Sequence, residues 1–363
     1  MRRIRVRLPG SASRDYSIQI RPGLLDDLPG TIRRLARGGR VCIITDSTVG
    51  RLYGRRLLHG LEEVVPGCTL LDFPPGESSK SVRVWGALVS QVLRSGIGRD
   101  GFLVALGGGV VGDLAGFVAA TVMRGVRYLH VPTTLLAQVD SSVGGKTGID
   151  HAIGKNLIGA FHQPVGVVID PSVLRTLPVR QFRAGLAEVI KIGVALDRTL
   201  LRALERQASA VLRRDPSALS AIVAHAVGLK AAVVGADERE ADLRKSLNLG
   251  HTIGHAVEAA SGYSMLHGEC VAIGMAAEGR IAVRLGFLTP RDERRILMTL
   301  RRFGLPTKMP KLRSASAFAQ ALTADKKARL GVPEFSLPAG IGCCAIGIPV
   351  PPDLITAVTG VRV

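Results

Sequence analysis

The sequence has few cysteines, few aromatic residues and no long apolar run. Five cysteines occur in 363 residues, and no Cys-x-x-Cys pair is present. This pattern argues against a disulfide framework and against cysteine-ligated zinc. No uninterrupted apolar stretch reaches membrane-spanning length. Residues 1–7 alternate arginine with apolar residues and are not followed by the apolar run of a signal peptide. We therefore expect a cytoplasmic protein with no membrane partner.

Acidic residues are also scarce. The chain has 29 Asp and Glu against 48 Lys and Arg, a formal charge of +19. Such a charge is typical of nucleic-acid binders. However, the excess is dispersed arginine, 38 Arg against 10 Lys, and aromatic residues for base stacking make up only 4%. We expect an arginine-rich surface and no nucleic-acid partner.

The few lysines are concentrated in glycine-rich or motif-like segments. Compact ammonium groups in such places are typical of phosphate sites. These residues are Lys80, Lys146, Lys155, Lys191, Lys230, Lys326 and Lys327.

The length of 363 residues and the apolar content of 47% allow two domains, each with its own hydrophobic core. Strand and helix patterns alternate over residues 1–170, which predicts a parallel sheet, and the pattern becomes helical from residue 179. We place the boundary near 171–178. The predicted domains are an α/β domain, 1–177, and an all-α domain, 178–363; the motifs below predict that the first binds a nucleotide and the second a metal and the substrate.

A glycine-rich turn follows the buried strand predicted at 101–106. The sequence continues Gly107-Gly-Gly-Val-Val-Gly-Asp113 and enters a helix. Glycines at a strand-to-helix turn let the backbone close around a phosphate, and the helix N-terminus favours an anion. A nucleotide pyrophosphate is the functional interpretation, and a tight turn is the structural alternative. Similarly, Asp46 after the strand at 40–45 fits a ribose contact or a helix cap.

Residues 132–156 are dense in polar side chains and glycine. We predict a loop on the surface that binds a ligand rather than a linker or part of the core.

Three histidines form a candidate metal site. His251 and His255 are four apart in a predicted helix, 247–260, so both should project from one face. His267 follows twelve residues later. Two imidazoles on one element and a third from another suit a divalent metal with an open position, whereas a single histidine could equally be a core residue.

Glu188 and Lys191 lie three apart in the apolar segment 184–193. A surface ion pair is the simplest interpretation. Because the surroundings are apolar, we expect the carboxylate to be buried instead, where it needs a cation such as the metal.

Six ordered segments resemble the 3-dehydroquinate synthase family, and together they extend over nearly the whole chain. Because the motifs are long and their order is particular, the resemblance is specific. They are 107–113 (GGGVVGD), 132–146 (PTTLLAQVDSSVGGK), 154–156 (GKN), 185–191 (GLAEVIK), 247–255 (LNLGHTIGH) and 266–269 (LHGE).

The resemblance implies an NAD-binding α/β domain, a helical domain that carries Zn²⁺ or Co²⁺, and a homodimer. It implies Glu188, His251 and His267 as metal ligands and turns His255 to the substrate phosphate. This differs from the helical spacing argument, which puts both helix histidines on the metal.

The remaining implied contacts fall into two sets. Those to substrate are Asp140, Lys146, Asn156, Lys191, Lys230, Arg244, Asn248, one of Lys326 or Lys327, and Arg124 reaching the partner subunit's site. Those to NAD are Asp46, Glu77, Lys80, Gly108, Gly109, Asp113, Thr133, Thr134, Lys155, Thr176 and Gln181.

Two positions depart from the family pattern. Thr48 and Asp150 stand where the family often has Asn. Neither change removes a catalytic group, but both bear on the NAD-side assignments.

The implied reaction converts 3-deoxy-arabino-heptulosonate 7-phosphate, an acidic sugar phosphate, to 3-dehydroquinate and phosphate in the shikimate pathway. It is a phosphate-eliminating lyase reaction with transient oxidation by NAD, elimination, reduction and an intramolecular aldol. The alternatives are aminodehydroquinate synthase, 2-deoxy-scyllo-inosose synthase, and metal-dependent NAD alcohol dehydrogenases related to glycerol dehydrogenase. Arg244 with Lys230 favours a substrate that bears a carboxylate, and the many lysines disfavour an unphosphorylated polyol.

Overall fold

The computed structural model describes residues 1–8, 15–323 and 333–363. The chain divides into two compact units, Met1–Leu177 and Pro178–Val363. Lys326 and Lys327 lie outside the described residues. All five cysteines are free thiols.

The first unit is built on a seven-stranded sheet, in which the first two strands of the chain pair antiparallel and the other neighbouring strands pair parallel. The predicted α/β fold is confirmed. The strands of the unit are β1 Arg2–Val6, β2 Tyr16–Ile20, β3 Val41–Asp46, β4 Thr69–Phe73, β5 Phe102–Gly107, β6 Arg127–Pro132, β7 Lys146–His151, β8 Gly154–Phe161 and β9 Gly166–Ile169; its helices are α1 Leu28–Ala36, α2 Ser47–Val49, α3 Arg55–Glu62, α4 Val82–Arg94 and α5 Gly109–Thr121. The order in the seven-stranded sheet is β1-β2-β9-β6-β5-β3-β4, and β7 and β8 pair with each other in a separate hairpin.

Both faces of this sheet are buried. Successive strand residues point to opposite faces, so Leu103 and Ala105 of β5 join one apolar cluster, whereas Phe102, Val104 and Leu106 join another. Strands buried on both sides appear in sequence as continuous apolar runs, as β5 does.

The order of connection changes direction between β3 and β5. From β3 the chain adds β4 on one side, whereas β5 lies on the other side and is followed by β6. In open α/β sheets, ligands bind at the carboxyl ends of the strands where the order reverses. Asp46 ends β3 and the glycine-rich turn follows β5, so the topology brings both predicted ligand segments to this edge.

The second unit is helical, as expected, with an additional antiparallel hairpin near the end of the chain that the sequence pattern did not predict. Its elements are α6 Val179–Ala195, α7 Arg198–Arg206, α8 Ala208–Leu212, α9 Pro216–Ala236, α10 His251–Ala260, α11 His267–Arg284, α12 Pro290–Arg302, α13 Ala315–Thr323, β10 Glu334–Pro338, β11 Cys344–Pro349 and α14 Pro352–Thr359.

One sequence expectation needs correction. Residues 132–156 do not form a surface loop: they include a buried helical turn, Ala137–Ser141, and much of the β7–β8 hairpin. In addition, α9 is long and apolar enough to cross a membrane by length and composition alone, although Lys230 and His225 interrupt its apolar run. Of its most apolar window 61% is buried inside the protein, as in core helices that pass the same test.

Candidate functional site

The three predicted metal-binding histidines meet in the second unit. His251 and His255 lie one turn apart on α10, and His267 is the first residue of α11. One ring nitrogen from each lies within 4.8 Å of the others. The rings of His251 and His255 therefore lie at one site, as their helical spacing predicts.

Glu188 of α6 joins this cluster. Its Oε1 lies 3.6 Å from His267 Nε2 and 4.0 Å from His251 Nε2. The side chain is fully buried, forms an ion pair with Lys191, and accepts no hydrogen bond from the part of the chain that the structure describes. Burial of Glu188 was expected from its apolar segment. The structure brings the predicted ligands Glu188, His251 and His267 together, and His255 lies in the same cluster. Which histidines bind the metal and which faces the substrate phosphate therefore stays a prediction.

Close packing of α10 against α11 positions the histidines. Gly250 precedes α10 with a φ of +80°, and a Cβ on Gly274 of α11 would lie 1.9 Å from the Gly250 carbonyl oxygen. Glycine is favoured at position 250 because of the positive φ, and it is needed at position 274 because a Cβ there would clash with the Gly250 carbonyl oxygen. The buried carboxylate of Glu278 accepts hydrogen bonds from the backbone N–H groups of Gly250 and Ile253, the latter at 3.2 Å. The N-terminus of α10 is thus capped by another helix.

Burial and neighbouring charges set the protonation of the histidines. Burial lowers the pKa of His251 well below its usual value, and the Lys191 ammonium lowers it further. For His267, burial also lowers the pKa, but the carboxylates of Glu258 and Glu188 outweigh it and the net pKa is raised. A neutral imidazole is the form that ligates a metal.

Three predicted substrate-binding cations are buried in the same unit. Lys191 is 1% exposed, Lys230 is 5% exposed and Arg244 is 4% exposed. The Arg244 backbone N–H donates to Asp237 Oδ2 at 3.0 Å, and its guanidinium donates to the Glu238 carbonyl oxygen. The segment before α10 is therefore folded around Arg244.

Glu240 is a candidate site residue that sequence reasoning missed. Its Oε1 accepts a hydrogen bond of 2.6 Å from Asn248 Nδ2, and its φ is +63°. The acidic run at 237–242 just before Arg244 is the signal that could have identified it.

In the first unit, the glycine-rich turn leads into the N-terminus of α5. No side chain of the described residues caps this helix, whose N-cap is Gly108. A Cβ on Gly108 would lie 2.9 Å from Thr134 Cγ2, so the backbone and Thr134 are in close contact. Uncapped N–H groups at a helix N-terminus suit an anion.

Lys80 is buried and lies at the centre of a polar cluster next to this turn. Its ammonium donates to Asp113 Oδ2 at 2.6 Å and to Asn156 Oδ1, and Glu77 Oε1 lies 3.9 Å away. Lys155 lies 3.5 Å from the same Glu77 oxygen. Burial lowers the pKa of Lys80, but Asp113 and Glu77 outweigh it and the net pKa is raised.

This cluster unites four predicted NAD contacts with Asn156, which was predicted to bind substrate. Asp150, one of the two departures from the family pattern, accepts a hydrogen bond of 2.9 Å from the Asn156 backbone N–H. Asn156 has a φ of +55°, so Asp150 holds the end of the hairpin turn in a conformation that few non-glycine residues adopt.

The other predicted residues of the first unit have separate environments. Asp46 caps α2, accepting from the N–H groups of Thr48 and Val49 at 2.9 and 3.0 Å, which is the structural alternative given above. Thr176 Oγ1 lies 2.6 Å from the Tyr53 hydroxyl, and the buried Thr133 hydroxyl has no partner among the described residues.

The predicted substrate residues Arg124 and Lys146 of the first unit are exposed, and Asp140 is half-buried. Gln181, a predicted NAD contact, is exposed near the start of α6 in the second unit.

Comparison with known proteins gives consistent results. The chain matches two family models, 3-dehydroquinate synthase N-terminal over residues 70–184 and 3-dehydroquinate synthase C-terminal over 185–328. It is 47% identical over 332 residues to the 3-dehydroquinate synthase of Pelobacter propionicus, covering 91% of this chain and 92% of the relative.

Two solved structures of sugar-phosphate cyclases have the same fold. One is 2-epi-5-epi-valiolone synthase from Streptomyces hygroscopicus with NAD⁺ and Zn²⁺ bound, with a TM-score of 0.86, 30% identity and coverage of 94% and 95%. The other is 2-deoxy-scyllo-inosose synthase complexed with carbaglucose-6-phosphate, NAD⁺ and Co²⁺, with a TM-score of 0.87, 25% identity and 99% coverage of both chains. On the family models and the 47% identity, this chain belongs to the 3-dehydroquinate synthase family.

Proposed function

We propose that this protein is a 3-dehydroquinate synthase. It converts 3-deoxy-arabino-heptulosonate 7-phosphate to 3-dehydroquinate and phosphate, as a carbon–oxygen lyase that requires NAD and Zn²⁺ or Co²⁺. The observation that carries the proposal is the Glu188–histidine cluster in the same unit as the buried cations Lys191, Lys230 and Arg244. Membership of the family supports it.

The residues present fit a divalent metal. Glu188 is a buried carboxylate whose Oε2 pairs with the Lys191 ammonium, whereas its Oε1 faces His251 and His267 and accepts no hydrogen bond from the described residues. Burial of such an oxygen is costly unless a donor or a cation pairs with it. Lys191 offsets part of this charge. One carboxylate and two imidazoles are a common catalytic zinc set that leaves a position open for substrate, and Glu188, His251 and His267 would hold the ion.

The first unit fits a dinucleotide. The uncapped α5 N-terminus suits the pyrophosphate, and the position of Asp46 at the end of β3 suits a ribose. The polar cluster of Lys80, Glu77 and Asp113 lies beside the turn and supplies further contacts.

The side chains of the protein bind and orient the substrate. When bound, NAD supplies a hydride acceptor that returns the hydride in the same turnover, and the divalent ion supplies Lewis acidity at a substrate hydroxyl. Arg244 binds the substrate carboxylate through its planar fork of donors, Lys191 and Lys230 supply positive charge for the substrate, and His255 contacts the phosphate. Asn248, held by Glu240, orients a substrate hydroxyl.

Cofactor turnover tests this function. With one equivalent of NAD per protein, we expect many equivalents of phosphate to be released from the heptulosonate phosphate without an accumulation of NADH absorbance. Glucose 6-phosphate serves as the control substrate, and we expect no phosphate release from it. NADH formation in step with substrate loss would instead favour a dehydrogenase, and a preference for glucose 6-phosphate would favour an inosose synthase.

We further infer that the protein acts in the cytoplasm as a homodimer. The dimer is what the family resemblance implies for Arg124, an exposed residue with a φ of +66°.

A further inference from the structure

The helix that carries two of the histidines has a third polar residue on the same side. His251, His255 and Glu258 of α10 follow the spacing i, i+4, i+7, which places them on one face. Glu258 is only 6% exposed. A carboxylate at such a position needs a hydrogen-bonding or charged partner, because burial of an unpaired charge is costly.

The ring of His267 lies between two carboxylates. Its Nε2 is 3.6 Å from Glu188 Oε1, and its Nδ1 is 3.6 Å from Glu258 Oε2. Glu188 also approaches His251, so Nε2 of His267 is the nitrogen that faces the cluster. Glu258 lies against the opposite ring nitrogen, which argues against it as a further ligand of the same ion.

The backbone of Glu258 is fixed where the chain turns from α10 toward His267. Its carbonyl oxygen accepts hydrogen bonds from the Tyr263 N–H at 3.0 Å and from the Ser261 hydroxyl at 2.8 Å. The turn that delivers His267 therefore also holds Glu258.

We propose that Glu258 is a positioning residue that holds the proton of His267 on Nδ1, so that the Nε2 lone pair is available to a divalent cation. A ligating histidine commonly donates its second ring N–H to a carboxylate, which fixes its tautomer and orientation and raises its basicity. The inference rests on the metal site of the proposed function and adds a residue that the family motifs above do not include.

Zinc affinity of the metal-free protein tests the proposal. Glu258→Leu should weaken Zn²⁺ binding by roughly 10- to 100-fold in competition with a chromophoric chelator, and Glu258→Gln should weaken it less, because its amide oxygen can still accept from Nδ1–H. Glu269→Gln is the matched control. It removes a carboxylate from the first turn of α11, the turn that carries His267. That carboxylate pairs with Arg180 and the Leu266 N–H, so Zn²⁺ affinity should stay at the wild-type value.

A second readout uses no metal. In protein with ¹⁵N-labelled histidine rings, at a pH that keeps the rings neutral, His267 should be protonated on Nδ1 in the wild type and shift toward Nε2–H in Glu258→Leu. This spectrum decides the role of Glu258 even if one variant is unstable, because Glu258→Gln is nearly isosteric.

Wild-type Zn²⁺ affinity with an unchanged His267 tautomer in both Glu258 variants would overturn the proposal, and so would an equal loss of affinity in Glu269→Gln. Failure of the wild type to bind Zn²⁺ would instead contradict the proposed metal site, and the ring spectrum would still report on Glu258.

Discussion

Arg244 is the residue that most directly distinguishes the proposed substrate from those of related cyclases. Its guanidinium is buried and oriented by the Glu238 carbonyl oxygen, and its backbone is held by Asp237. A charge-assisted bidentate contact in such a desolvated position contributes a few kcal/mol, on the order of two to three. Arg244→Met should therefore lower kcat/KM for the heptulosonate phosphate by roughly 10²-fold or more and leave NAD affinity nearly unchanged.

Arg295→Met is a suitable control for this variant. Arg295 forms a two-bond ion pair with Glu205 in the same unit, at 3.0 and 2.7 Å, and is not a predicted site residue. Its loss should affect stability and leave kcat/KM near the wild-type value. A wild-type rate in Arg244→Met would show that Arg244 does not anchor the carboxylate.

A second prediction at the scale of single residues concerns His267. Glu188 and His251 would be left to hold the ion if its imidazole were removed, and two ligands bind a divalent metal far more weakly than three. We expect His267→Ala to lose most of its bound metal on dialysis, measured by elemental analysis. His225→Ala removes a histidine that pairs with Asp197 outside the cluster and should retain full metal content. Equal metal content and affinity in the two variants would contradict the assignment.

At the scale of elements, the packing of α10 on α11 holds the histidines in place. The N-cap of α10 is a glycine without a side chain, and Glu278 of α11 replaces the missing cap. Carboxylates are favourable at a helix N-terminus because of the helix dipole and the free N–H groups.

Removal of this cap should destabilise the second unit. In Glu278→Ala the N–H groups of Gly250 and Ile253 lose their buried acceptors, at a cost of about 1–3 kcal/mol each. We expect a lower Tm and faster hydrogen exchange at these two amides, with a smaller effect in Glu278→Gln, which keeps one acceptor. An unchanged Tm together with unchanged exchange in Glu278→Ala would show that water or another group caps α10.

At the scale of the whole molecule, the formal charge of +19 makes a clear prediction about nucleic acid. Dispersed arginines give weak, non-specific attraction, since affinity for DNA depends on how many phosphates are contacted at once. The protein should leave a DNA column below about 0.2 M NaCl, with a shallow dependence of affinity on salt. Retention at higher salt with a steep slope would instead indicate a dedicated nucleic-acid surface.

Local sequence patterns determined much of this protein. The passage from the apolar strand β5 through three glycines into α5 could be predicted from sequence. Strand burial, the conformational freedom of glycine and helix initiation all depend on residues that are neighbours in the chain. The spacing of His251 and His255 predicts one helical face for the same reason. Buried Glu188 was predictable from the apolar residues around it, and the resemblance of six motifs indicated the family.

Only the tertiary structure decided which distant side chains meet. Lys80 pairs with Asp113 and Asn156, 33 and 76 residues away in the chain, and Glu278 reaches back 28 residues to cap α10. The turn that places Glu258 against His267 and the β10–β11 hairpin were likewise not visible in sequence periodicity. Periodicity specifies the face on which a residue lies, but the partner on the opposing element depends on how the two elements pack, and that is set by the summed burial of many residues across the core.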